Sequence, residues 1–217
     1  MRYIRSSLTI VTLAAAAVHA QSDITPSHKN AWGENIGWTN WRDAGDPDAS
    51  QGARVHTRFL SGFVWTENTG WITLGDGSPS GGTSYGNTDA SDYGVNLNPA
   101  TGELSGLAWG ENVGWINFSG GLLALPPNPA RLDLTARRFH GYAWGENVGW
   151  INLDHTQHFV STFCRADFNK DGSVNTLDVL SFLNAWAAKL PSADFNADGS
   201  VNTLDVLSFL NTWASGC

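Results

Sequence analysis

The sequence predicts an all-β repeat domain, made of β-hairpin or meander units, followed by a small α-helical module of two loop–helix repeats. Three observations lead to this prediction. The phrase Trp-x-Glu-Asn-x-Gly-Trp occurs four times, the 217-residue chain contains 11 Trp and 24 Gly, and a second phrase recurs at an offset of 27 residues near the C-terminus. Glycine, aromatic residues and short alternating runs are typical of strands, whereas the second phrase carries apolar residues at helical spacing.

Residues 1–20 have the features of a secretory signal peptide. Arg2 and Arg5 precede an apolar run over 8–18, and a small residue, Ala20, ends the segment. The apolar run is about half the ~20 residues that a bilayer span needs, and no later segment is longer or more apolar. The sequence therefore predicts a secreted, extracellular protein without a membrane span.

The charge of the chain indicates which partners it can bind, and its cysteine content predicts a disulfide. Without residues 1–20 the chain keeps 10 basic and 20 acidic residues. This balance argues against nucleic acid and anionic membranes as partners, and it suits a protein that binds cations or neutral sugars. Cys164 and Cys217 are the two cysteines, and in an oxidising compartment we expect them to form a disulfide.

The phrase that occurs four times defines a repeat domain over residues 21–160. Its first Trp falls at 32, 65, 109 and 144, and three of the four phrases follow a strand-like segment with Gly three residues before that Trp. Each unit therefore predicts a strand, a turn, a strand, a Glu-Asn turn and a final strand. The first unit lacks its upstream strand, and both a closed and an open array remain possible. A similar Trp-Gly-Glu-Asn phrase recurs in secreted bacterial proteins.

The eight repeated tryptophans allow two interpretations, which can coexist. They can form the core, because an indole buries a large apolar area. They can also stack on sugar rings at the surface, with the Glu and Asn nearby to bind hydroxyl groups. The candidate glycan-binding residues are Trp32, Trp38, Trp65, Trp71, Trp109, Trp115, Trp144 and Trp150.

The repeat domain shows no catalytic signature. Glycoside hydrolysis needs one protonated and one ionised carboxyl group. Glutamates at one repeat position should have similar environments, so their pKa values should not separate. These glutamates are Glu34, Glu67, Glu111 and Glu146. We therefore expect a non-catalytic protein, with a polysaccharide-degrading glycoside hydrolase as an alternative.

The C-terminal phrase has the ligand spacing of a calcium loop. Oxygen-bearing side chains stand at loop positions 1, 3, 5, 7, 9 and 12, with Gly at position 6, which is the EF-hand pattern. All six acidic residues of 164–217 fall at positions 1, 5 or 12. The predicted ligands are Asp167, Asn169, Asp171, Ser173, Asn175 and Asp178 in the first loop, and Asp194, Asn196, Asp198, Ser200, Asn202 and Asp205 in the second.

A helix is predicted after each loop. Leu177, Leu180, Leu183 and Trp186 lie on one face at i, i+3 spacing, and the second copy repeats the pattern. Asp178 can serve both as the last metal ligand and as an acid in the first helical turn. Two short helices make a thin core, so metal and disulfide should contribute to stability.

Two loops of this form, each followed by one helix, resemble a type I dockerin module. The opening Cys and the closing Ser-Gly-Cys of residues 164–217 are similar to the GC-type dockerins of secreted bacterial proteins. The resemblance implies two calcium ions and docking onto a cohesin-like surface or scaffold protein, with attachment to the cell surface. It places docking specificity at loop positions 10 and 11, which are Thr176, Leu177, Thr203 and Leu204. Their identity in both repeats leaves a two-way docking mode open.

Together these features predict a secreted, non-catalytic protein in which a dockerin-like module anchors a Trp-rich domain. Polysaccharide is the partner that the tryptophans suggest for that domain. The alternative is a structural, self-assembling surface or matrix protein that binds no glycan.

Overall fold

The computed structural model describes residues 22–44, 46, 49–196 and 200–216. The predicted signal peptide, Asp198 and Cys217 lie outside these residues, so the signal, the Cys164–Cys217 pairing and that one ligand stay predictions. In the described part of the chain, no helix combines the length and hydropathy needed to cross a membrane.

The four repeats close into an eight-stranded antiparallel barrel. Each Trp-x-Glu-Asn-x-Gly-Trp phrase forms one β-hairpin, and the first strand of the first hairpin pairs with the last strand of the fourth. The barrel strands are β1 (Ile24–Gly33), β2 (Gly37–Asn40), β4 (Leu60–Thr66), β5 (Gly70–Gly75), β7 (Leu104–Gly110), β8 (Gly114–Asn117), β11 (Tyr142–Gly145) and β12 (Gly149–Asn152). The array that the sequence left open is therefore a closed one.

The upstream strands extend the barrel as the repeat unit predicts. β3 (Arg54–Val55) pairs with β4, β6 (Val95–Leu97) pairs with β7, and β9 (Arg131–Asp133) pairs with β10 (Arg138–His140) just before β11. Among the residues that the structure describes, no such strand precedes the first repeat. The chain after the fourth repeat supplies one, because β13 (Val160–Thr162) pairs with both β1 and β10. This strand carries the sheet two residues beyond the predicted domain end at 160.

Each hairpin turns through a three-residue loop followed by a glycine in the left-handed region. In the third repeat the Val113 N–H donates to the Gly110 carbonyl at 3.2 Å, and Gly114 has a φ of +77°. This is a type I turn with a bulge, a common hairpin connection that needs φ > 0 after the turn. The equivalent glycines are Gly37, Gly70 and Gly149, with φ of +74°, +83° and +71°.

The residues flanking the Glu-Asn pair vary together between repeats. A Cβ at Gly110 would lie 2.6 Å from Cγ2 of Val113, which fills the end of the barrel. The first and fourth repeats use the same Gly and Ile or Val combination. The second repeat instead has Thr66 and Thr69, whose hydroxyl groups hydrogen-bond to each other at 2.5 Å. A small residue facing a branched one, or two threonines, fills the same space.

The barrel interior is filled by other apolar residues and one threonine rather than by the repeated tryptophans. Three sets of equivalent buried positions fill it: Ala31, Val64, Ala108 and Ala143; Thr39, Ile72, Ile116 and Ile151; and Trp41, Leu74, Phe118 and Leu153. The remaining cavity inside these described strands is about 10 Å³, which is barely the space of one water molecule.

The interpretation of the eight repeated tryptophans as the core is therefore wrong. In each strand they alternate with inward-facing Ala, Val, Thr, Ile or Gly, and so point outward. An eight-stranded barrel has an interior just wide enough for the inward-facing side chains to fill. The buried indole is Trp41, which lies outside the repeated phrase and donates its Nε1–H to Thr39 Oγ1 at 3.0 Å.

The C-terminal module contains two helices, α1 (Thr176–Ala187) and α2 (Thr203–Ser215). Its core is aromatic: the rings of Phe182 and Phe209 stack with centroids 4.2 Å apart, and Phe168 and Phe195 pack against them edge-on. The leucine face of the predicted helices lies elsewhere. Leu180 is 56% exposed, so the leucines are surface residues and the phenylalanines hold the helices together.

Candidate functional sites

The outer surface of the barrel carries a belt of tryptophan pairs. The two tryptophans of each phrase are direct partners across their hairpin, so both rings lie on the same outer face. Ring centroids are 4.9 Å apart for Trp32–Trp38 and for Trp65–Trp71, and 4.6 Å for Trp109–Trp115. The candidate glycan-binding tryptophans are therefore brought together two by two. We call these four pairs the tryptophan belt.

A third ring rests on the second tryptophan of each pair. These contacts join His158 to Trp38, Phe63 to Trp71, Tyr93 to Trp115 and Tyr142 to Trp150, with centroids between 4.9 and 6.0 Å apart. The extra rings orient the indoles and limit their movement. Exposure differs between repeats: Trp32, Trp71 and Trp115 are each about 40% exposed (40%, 43% and 39%), while the other five tryptophans are half-buried.

Polar side chains flank the belt at a position that the sequence analysis missed. The first tryptophan of each pair lies beside its own partner on one side and a polar residue of the preceding repeat on the other. These polar residues are Asn40 beside Trp65, Thr73 beside Trp109, Asn117 beside Trp144 and Asn152 beside Trp32. Their common place, two residues after the second tryptophan of the phrase, was the signal available in the sequence.

The Glu-Asn turns lie at one end of the barrel, and their asparagines have a structural role. Asn35 donates its amide N–H to the Val148 carbonyl at 3.3 Å, which joins the first turn to the fourth. The same bond joins every other neighbouring pair of turns, from Asn68 to Ile36, from Asn112 to Thr69 and from Asn147 to Val113. The four asparagines thus form a closed ring of hydrogen bonds. We call it the asparagine ring.

The glutamates beside this ring occupy equivalent exposed positions. Glu34, Glu67, Glu111 and Glu146 all lie at the tips of the hairpin turns. Glu34 also accepts the Trp150 N–H at 3.5 Å through its carboxylate.

The first predicted calcium loop wraps around two buried carboxylates. Asp167 accepts the N–H groups of Asp171 and Gly172 at 3.0 and 2.9 Å. Asp178, which is fully buried, accepts those of Asn169 and Asn175 at 3.1 and 2.8 Å. A carboxylate has about four lone-pair sites, so both groups keep acceptor capacity for a cation.

The charges of this loop fit a divalent cation. Burial raises the pKa of the Asp167 carboxyl, and the neighbouring carboxylates of Asp178 and Asp171 raise it further, against hydrogen bonds from the loop backbone. A bound cation would relieve this repulsion. Among the described residues, no three His, Cys, Asp or Glu side chains already converge as a metal cluster. A calcium ion here would therefore draw on amide, hydroxyl and backbone oxygens as well, which calcium accepts.

The second loop repeats the same arrangement in its described part. Asp205 accepts the N–H groups of Asn196 and Asn202 at 3.1 and 2.7 Å. Asn202 also begins α2, since its side chain accepts the Leu204 N–H at 2.7 Å. Asn175 begins α1 in the same way. Both asparagines at loop position 9 are thus helix caps, and their role as metal ligands stays a prediction.

The two repeats of the module are locked together reciprocally. Trp186 of α1 donates its Nε1–H to the Asn202 carbonyl at 2.7 Å, and Trp213 of α2 donates to the Asn175 carbonyl at 2.9 Å. Each helix therefore holds the loop of the other repeat.

Residues 165–212 match the Dockerin type I domain family. This confirms the predicted dockerin module. Dockerin domains bind calcium and dock onto cohesins. Comparisons with curated proteins and with solved structures found no match for the chain.

The predicted docking residues of the dockerin module lie on its surface. Thr176 and Thr203 are exposed, and Leu177 and Leu204 are 55% and 57% exposed. The structure adds four leucines that the sequence analysis placed on a helix face without a docking role: Leu180, Leu183, Leu207 and Leu210. Each helix therefore presents a row of three exposed leucines. We call these the leucine rows.

Proposed function

We propose that the protein is a secreted, non-catalytic adaptor. Its dockerin module loads two calcium ions and docks onto a cohesin-like receptor at the cell surface or on a scaffold, and its barrel presents the tryptophan belt to carbohydrate. The observation that carries the proposal is the outward placement of all four tryptophan pairs on a barrel whose interior is filled by other side chains. The eight repeated tryptophans, which are among the largest apolar side chains of the protein, lie on the surface, where they contribute least to folding.

The tryptophan belt has the chemistry that a sugar ring requires. An indole offers a flat apolar face to the C–H face of a pyranose, and the flanking Asn and Thr side chains offer donors and acceptors to its hydroxyl groups. Four similar sites around one barrel also suit a repeating polysaccharide, because linked weak sites gain affinity through effective concentration.

A pull-down on insoluble polysaccharides, followed by fluorescence titration with soluble fragments, tests the glycan assignment. Trp71→Ala and Trp115→Ala remove two of the most exposed indoles and should weaken binding severalfold without changing the fold. Leu134→Ala is the control, because Leu134 is 45% exposed and lies outside the tryptophan belt. Equal binding by all three variants would show that the belt is not the site.

The leucine rows are the surface that we propose for receptor docking. Paired positions in the two helices are almost equally exposed: 56% and 58% for Leu180 and Leu207, and 40% and 39% for Leu183 and Leu210. The receptor would therefore meet the same apolar row in either of two orientations of the dockerin module.

Calcium loading can be tested on the full chain by thermal unfolding with and without the ion. Calcium should raise the melting temperature of the helical signal, because it binds the folded loops and not the unfolded chain. Asp171→Ala combined with Asp198→Ala should abolish the increase. Helix content that is unchanged by EDTA under reducing conditions would contradict the assignment.

One observation favours a second function, self-association. The 3-10 turn Gly120–Leu123 and the residues after it expose three leucines, Leu122, Leu123 and Leu125, of which the last is 98% exposed. Such a projecting apolar loop is typical of an interaction surface. Sedimentation that depends on concentration, with no affinity for any glycan, would favour this structural role over the first proposal.

A catalytic role is the remaining alternative. We propose against it because the repeated glutamates share one exposed position. Release of reducing sugar by the purified protein, abolished by a Glu→Gln change in a single repeat, would overturn this part of the proposal.

A further inference from the structure

The two repeats of the dockerin module are nearly identical, and their differences fall where the module meets the barrel. Residues 165–186 and 192–213 differ at three of 22 positions. The differing pairs are Arg165 and Ser192, Lys170 and Ala197, and Ala185 and Thr212. Two of the three, Arg165 and Lys170, contact the barrel from the first repeat.

Lys170 joins the first calcium loop to the start of β1. Its ammonium group lies 2.8 Å from Asp23 Oδ1 and donates to the Ser22 carbonyl at 3.0 Å. The side chains are 19% and 33% exposed for Lys170 and Asp23, so the ion pair is largely shielded from water. A shielded pair with a second hydrogen bond holds its geometry better than an exposed one.

Asp23 is a rigid anchor for this contact. Its backbone N–H donates to the Ala53 carbonyl at 3.1 Å, and its carbonyl accepts the Phe163 N–H at 2.9 Å. Its second carboxylate oxygen accepts the Val55 N–H at 2.8 Å. The barrel alone therefore fixes the position of the Asp23 carboxylate.

Arg165 makes a second bridge. Its guanidinium donates to Thr57 Oγ1 of the barrel at 3.3 Å and to the Phe195 carbonyl of the second repeat. It also lies 4.3 Å from the centroid of the Phe195 ring. The barrel is thus tied to both halves of the dockerin module by residues that only the first repeat has.

The position of Lys170 within the loop couples the anchor to the metal. Lys170 stands at loop position 4, between the predicted ligands Asn169 and Asp171, with a φ of +60° in the left-handed region. This strained backbone lasts only while the loop stays wrapped. Without a cation, the carboxylates of Asp167 and Asp171 repel each other and favour an open loop, which would carry Lys170 away from Asp23.

We propose that the first loop is the anchor of the barrel: calcium in this loop holds Lys170 on Asp23, so that barrel and dockerin module move as one body. The inference rests on the calcium loading proposed above. The second loop, with Ala197 at the equivalent position, carries no such lysine. Because the leucine rows of both helices remain equally exposed, the anchor leaves both docking orientations open and fixes the direction in which the barrel points in each.

Backbone NMR relaxation of the full chain tests the anchor, because it reports the rotational correlation time of each part separately. Wild type with calcium should give one shared value for the barrel and the helices. Lys170→Ala with calcium should shorten the value for the helices relative to the barrel. Lys189→Ala is the matched control and should keep the shared value, because Lys189 donates to the Val201 carbonyl within the module.

Circular dichroism of the same samples separates failure of the anchor from failure of the calcium assignment. If calcium raises the melting temperature of wild type and of Lys170→Ala alike, yet both show one shared correlation time, the anchor is wrong and calcium loading stands. If calcium changes neither measurement in wild type, calcium loading itself is wrong. The correlation time of the helices in Asp23→Asn combined with Lys170→Ala should fall no further than in either single variant. Additive decreases would also overturn the anchor.

Discussion

The asparagine ring gives a direct test of barrel closure. Replacing Asn35 with Ala removes the amide that donates to the Val148 carbonyl across the seam between the first and last repeats. Loss of one such bond, with its acceptor left partly buried, costs about 1 kcal/mol. For a chain of this size, that corresponds to a fall in melting temperature of about 2–4 °C.

The repeats supply the controls for this experiment. Asn68→Ala, Asn112→Ala and Asn147→Ala break the equivalent bonds between other neighbouring turns, so all four variants should lose similar stability. Glu67→Ala, at the exposed tip of one turn, should change the free energy of unfolding by less than about 0.5 kcal/mol. Calorimetry in calcium keeps the dockerin module folded during the measurement. Full stability in Asn35→Ala, with losses in the other three, would mean that the barrel is open at its seam.

Three further predictions follow from the packing. Gly110→Thr should destabilise the barrel by about 1–3 kcal/mol, because its Cβ would meet Val113. Adding Val113→Thr should recover part of this stability in chemical denaturation. Equal losses of stability in the single and the double variant would contradict the pairing seen in the repeats. Phe182→Ala should cost about 3–5 kcal/mol and melt the helices selectively in far-UV circular dichroism, a result that an unchanged helical signal would refute. Leu180→Asp combined with Leu207→Asp should abolish receptor docking while changing the free energy of unfolding in calcium by less than about 0.5 kcal/mol, and retained docking would exclude the leucine rows.

The sequence predicts the repeat unit well because local chemistry determines it. Glycine after a short polar loop, flanked by alternating apolar residues, specifies a hairpin wherever it occurs, and Gly114 adopts the required left-handed angle. The calcium loops are equally local: ligand spacing and the turn glycine lie within twelve residues, and the dockerin match confirms the module.

Which side of each strand faces inward is a property of the closed barrel and not of the phrase. The alternation of tryptophans with other residues fits a strand with either face turned inward. Only the narrow barrel interior selects Ala108 over Trp109 as the inward-facing residue. Closure itself depends on the pairing of β1 with β12, two strands that lie more than 100 residues apart in the sequence. In the helices, the i, i+3 spacing of the leucines does not show which face is buried; the stacked Phe182 and Phe209 form the core, and the leucines lie on the surface.

Fluorescence titration of the full chain with soluble glycan fragments shows whether the tryptophan belt is an exposed ligand surface. We expect that a soluble quencher reaches the indoles before ligand is added, and that one glycan class causes a saturable change in emission that is weakened in Trp71→Ala. Emission shielded from the quencher, together with no response to any glycan, would contradict it.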